Sequence, residues 1–116
     1  MGIVEKFEVL LQNRPNINDY NSIMEYCAEI GSEVVFLEKH KINLQSEYLV
    51  HCTEVIKNID DKEWNKIKNS STVQTLYYEG TFNQEKLKEL KLAESLIDEY
   101  KTAVFNINTL IAHRIK

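Results

Sequence analysis

Residues 23–55 read IMEYCAEIGSEVVFLEKHKINLQSEYLVHCTEV. Within them Ile23, Cys27, Ile30, Val34, Leu37, Lys41, Leu44, Tyr48, His51 and Val55 follow one another in alternating steps of four and three. Eight of these ten positions are apolar or aromatic. Side chains at that spacing share one face only in an α-helix, and a face kept up for this long is one that packs lengthwise against other helices. The pattern predicts a helix from about Asp19 to Asn58, roughly 60 Å long if unbroken. Gly31 costs it up to about 1 kcal/mol without stopping it. The seam turns polar at Lys41-Ile42-Asn43, where the sequence leaves room for a kink.

On the N-terminal side, Ile3, Phe7, Leu10 and Leu11 line one face of a short amphipathic helix ending before Pro15. Asn16, Asn18 and Asp19 follow as side-chain caps for the long helix. On the C-terminal side, Asp60-Asp61-Lys62-Glu63-Trp64 is a capped start for a turn or two, with Trp64 and Ile67 facing inward. Residues 73–78 carry strand-like β-branched and aromatic residues, whereas Ser71 and Gln74 fit a helix capping box. A lone strand has nothing to pair with, so a short helix ending at Gly80 is expected.

Asn83 then caps a second long helix, with Glu85 in its first turn and Phe82 stapling onto Leu87. Leu90, Ala93, Ile97, Tyr100, Val104, Ile107, Ile111 and Arg114 repeat the three-and-four step. A second row, Leu92, Leu96, Ala103 and Leu110, widens the apolar stripe. That width suits three or more helices better than an isolated pair. The fold class is therefore all-α, a helical bundle of two long amphipathic helices plus short helices in coiled-coil-like packing. It is expected to form one domain over residues 1–116.

Composition agrees. The 116 residues include three glycines and one proline, too few to break or turn the chain often. Cys27 and Cys52, placed on one helix, would stand about 37 Å apart, far beyond disulfide reach. Both read as reduced thiols of a cytoplasmic protein. Residues 1–11 hold Glu5, Lys6 and Glu8 and so resemble neither a signal peptide nor a membrane span. The net charge of −4 falls in the first half: residues 1–60 hold ten acids and five bases, residues 61–116 eight acids and nine bases. The usage of lysine, asparagine and isoleucine over arginine matches AT-rich genomes, bacteriophages among them.

Catalytic chemistry finds no foothold. His40 and His51 return to nearly one helix face but some 16 Å apart, too far to share a metal. No histidine has a glutamate three residues before it, as helical di-iron sites require. Glu47 and Glu54 flank His51 on its own face, which reads as a half-buried histidine supported by carboxylates. The cysteines lack a basic neighbour to hold a thiolate, since His51 and Cys52 point about 100° apart. Glu94 with Asp98 reads as a solvated face, and no glycine-rich phosphate loop is present. The sequence therefore points away from an enzyme, with no metal or cofactor implied.

Two surfaces remain. Glu25, Glu29 and Glu33 sit on successive turns of the long helix and could offer a negative strip to a basic protein partner. Tyr77, Tyr78, Lys86, Lys88 and Lys91 combine stacking rings with cations, the ingredients of single-strand nucleic-acid binding, although Glu79, Glu85 and Glu89 dilute their field. The expectation is a non-enzymatic interaction protein acting on a macromolecular partner, of the regulator or inhibitor kind that phages and mobile elements encode. The alternative is a single-stranded nucleic-acid accessory protein. A homodimer is expected as well, with part of the long seam covered by a second copy.

Overall fold

The computed structural model describes residues 2–16 and 18–115, the side chains of 110, 114 and 115 excepted. It contains α1 (Ile3–Gln12), α2 (Tyr20–Asn58), α3 (Asp61–Ile67), α4 (Ser71–Thr81) and α5 (Gln84–Ile115). No strand occurs among the described residues, and 87% of them are helical, so the all-α class is shown. Helix α2 runs unbroken through Lys41-Ile42-Asn43. Residues 73–78 are helical as well. Leu110 and Arg114, expected on the apolar rows of α5, have side chains outside the description.

Each helix starts where a side chain can satisfy orphaned backbone donors. The Glu5 carboxylate accepts from Gly2 N at 2.6 Å ahead of α1. Asp19 accepts from the Ser22 backbone N at 3.2 Å and from its hydroxyl at 2.6 Å at the start of α2. These bonds hold the Asp19 carboxyl below its usual range, the Ser22 hydroxyl contributing most. Asp60 accepts from Glu63 N at 2.8 Å for α3, and Asn83 from Lys86 N at 3.1 Å for α5. For α4 the cap is Ser70, accepting from Val73 N at 3.3 Å, in place of the expected Ser71. The Gln74 side chain donates instead to Lys68 O at 3.1 Å.

The chain divides into two compact units. Unit 1 comprises Met1–Lys41 and Leu92–Lys116, and unit 2 comprises Ile42–Lys91. The division falls at the polar step of the α2 seam.

Unit 1 is a three-helix bundle of α1, the first part of α2 and the later part of α5. Its core joins Val4, Phe7 and Leu11 to Tyr26, Ile30, Val34 and Leu37, and to Ala93, Leu96 and Ile97. Leu37 and Ala93 are 0% exposed, and Phe7 and Ile30 1%. Burying a side chain of this size contributes about 1.5–3 kcal/mol. The rings of Phe7 and Tyr100 meet edge-on with centroids 6.0 Å apart. Lys6 of α1 pairs with Glu33 of α2 at 3.2 Å over the edge of this core. The wider stripe expected on α5 is present in part: Leu96 and Ala103 are buried, whereas Leu92 is exposed.

Unit 2 holds the rest of α2, then α3, α4 and the first turns of α5. Its buried side chains are few: Leu44, Ile67, Phe82 and Leu90. Helix α3 packs on α4. Phe82 closes α4, and its ring lies 5.3 Å from those of Tyr48 and His51. The Gln84 side chain ties the junction by donating to Glu79 O at 2.8 Å and Phe82 O at 2.9 Å. Phe82 thus anchors α2 against the α4–α5 junction.

Every seam position of α2 is buried or half-buried, from Ile23 at 4% exposure to Val55. Tyr26 pays for its place in the unit 1 core with a buried hydroxyl that lacks a hydrogen-bond partner. Burial pushes its pKa up, and the nearby Arg14 guanidinium offsets only part of that.

Candidate functional site

Helix α2 is apolar on two sides. One residue on from the seam positions Lys41, Tyr48 and Val55, the residues Ile42, Leu49 and Ile56 recur every seven positions, and they are 56%, 64% and 53% exposed. Val50, beside Leu49, is 62% exposed. Between them stand Asn43, Ser46 and Thr53, all exposed, so this face of unit 2 carries no charge from Ile42 until Lys57. Large apolar side chains left in water at this density mark contact surfaces when they are contiguous. The step of seven sets these on one face, each about 10.5 Å along the axis from the next.

Beside this face is a shallow, open groove of about 430 Å³, lined by Ser46, Val50, His51, Phe82 and the Glu47–Lys86 pair, among others. Its lining is mainly apolar. The Glu47–Lys86 ion pair, at 2.7 Å, satisfies itself across the rim. His51 Nε2 lies 2.9 Å from Thr81 Oγ1. The Thr81 hydroxyl also lies 2.9 Å from Tyr77 O. His51 is therefore held by a threonine and a phenyl ring. The carboxylates expected to support it are used elsewhere, Glu47 on Lys86 and Glu54 on Asn58. Burial, with a hydrogen bond to Cys52 and the nearby Glu79, pushes the Tyr48 hydroxyl up to about 12. These groups hold one another, and none converges on a point where a substrate atom could react.

The acidic strip is divided. Glu25 and Glu29 are exposed on the outward side of α2 in unit 1, while Glu33 is half-buried and paired with Lys6. The aromatic-lysine patch is divided too. Tyr77 and Tyr78 are half-buried in α4, Lys86 is paired with Glu47, and Lys91 with Glu79 at 3.2 Å. Lys88 is exposed. The structure thus brings the lysines to carboxylates and leaves little of their charge for a phosphate backbone.

Both cysteines are half-buried free thiols, and burial raises the pKa of Cys27, the opposite of nucleophile activation. Among the described residues no three of His, Cys, Asp and Glu gather as a metal-binding group. No described helix is long and apolar enough to cross a membrane.

The exposed row on α2 went unread in the sequence because the stronger seam accounted for the helix. Its signal was present: Val35, Ile42, Leu49 and Ile56 form a second apolar register, each one residue, about 100°, on from a seam position. What fold and surface together define is an all-α helical bundle with an uncovered apolar helix face. Compared with family models, curated proteins and solved structures, the chain matches none.

Proposed function

We propose that this chain is a non-enzymatic interaction protein, and that the outward side of α2 is its docking surface. The observation that carries this reading is the row Ile42, Leu49, Val50 and Ile56, each more than half exposed on a charge-free helix face. Burial of such a row stabilises a complex by removing apolar area from water. The exposed Glu25 and Glu29 add negative charge on the same helix, which steers encounter with a basic protein surface more than it deepens the final complex. The finer reading is a regulator or inhibitor of the phage or mobile-element kind that works by occupying its target's surface. Two free thiols suit a reducing, cytoplasmic setting. The single-stranded nucleic-acid alternative draws less support, because Glu47 and Glu79 already occupy Lys86 and Lys91.

The test is affinity capture from the native host with wild type, Leu49→Glu and the triple variant Glu25→Gln, Glu29→Gln, Glu33→Gln. Leu49→Glu should lose the captured macromolecule at unchanged helicity. The triple variant should keep it but associate more slowly, with a flatter salt dependence. Retention of every captured species by a folded Leu49→Glu protein would overturn the proposed surface.

A further inference from the structure

We draw no further inference here: the strongest candidate, the exposed apolar row Ile42, Leu49 and Ile56 on α2 in unit 2, carries nothing beyond the docking reading above, because nothing in the structure shows what covers it.

Discussion

Units 1 and 2 share helices α2 and α5 yet spend their apolar residues differently. Unit 1 buries ten side chains in one continuous cluster, with Leu37 and Ala93 wholly covered, while Tyr20, Phe36 and Phe105 stay more than half exposed. Unit 2 buries four, while Ile42, Leu49, Val50, Ile56 and Leu76 are all more than half exposed. The supply of apolar residues is not what differs. In unit 1 the ten-residue α1 brings Val4, Phe7 and Leu11 into the core, whereas α3 brings only Ile67 and the eleven-residue α4 buries nothing. The lesson is that a covering helix makes a core only by the apolar side chains it brings: α1 buries three, α3 one and α4 none.

The largest effects should come from breaking the tight side of this contrast. Leu37→Ala and Ile97→Ala, at 0% and 3% exposure, should each cost about 2–5 kcal/mol in denaturant unfolding, because each leaves a cavity. Losses below about 0.5 kcal/mol at both would show that unit 1 is not the tight core described. Phe82→Ala should cost about 3 kcal/mol, the low end for a buried phenylalanine, since its pocket is shallow and can relax. Its effect should appear first in unit 2, read by amide hydrogen exchange around Tyr48 and Thr81. Even in the wild type, exchange should be faster in α3 and α4 than in α1, as fewer buried contacts permit easier local opening.

Tyrosine ionisation sharpens the comparison at high pH. Tyr48 in unit 2 has its pKa pushed up to about 12 in the folded chain, and Tyr26 in unit 1 is raised as well. A raised folded value means that the stabilisation is complete below the unfolded pKa, near 10, and is lost as pH climbs through the folded one. Stability should therefore fall between about pH 10 and 12. In Tyr48→Phe that fall should be smaller, and an identical alkaline midpoint in the variant would show that Tyr48 is not the group responsible.

The smallest effects concern glycine. A Cβ on Gly31 would meet Tyr100 Oη at 3.8 Å, an ordinary contact, and one on Gly80 would meet nothing within 4 Å. Gly31→Ala and Gly80→Ala should each stabilise by about 0.5–1 kcal/mol, measured by thermal melts. A loss at Gly31 would mean that the approach of α5 to α2 in unit 1 is closer than the distance implies.

Much of this fold was legible in the residues. The seam from Ile23 to Val55 turned out buried or half-buried throughout, because a seven-residue repeat leaves few other faces to bury. Helix starts at Asp19, Asp60 and Asn83 could be read from side-chain oxygens, a local interaction that needs no tertiary context. The cap of α4 was misplaced by one residue, since Ser70 and Ser71 are chemically equal and only the turn from Ile67 chooses between them. The division at Lys41 and Ile42 was foreshadowed by the polar step there, but not as a boundary between units. Pairings across the chain were not legible at all: Lys6 with Glu33, Lys86 with Glu47 and Lys91 with Glu79 depend on which helices become neighbours. Those pairs removed charge from both surfaces the sequence had favoured, while the exposed row on α2 became visible only once the seam was known to be covered.

The order of the units along the chain also bears on chain entropy. Unit 2 is one contiguous stretch, Ile42–Lys91, whereas unit 1 is built from the two stretches on either side. Joining those stretches across a flexible loop of that length would cost about 3.5 kcal/mol in closure entropy. Inside unit 2 the Glu47–Lys86 pair already holds α2 and α5 side by side, five residues in from each end. A chain in which unit 2 is folded has met part of that cost, and one in which unit 2 is open must meet it again in unit 1.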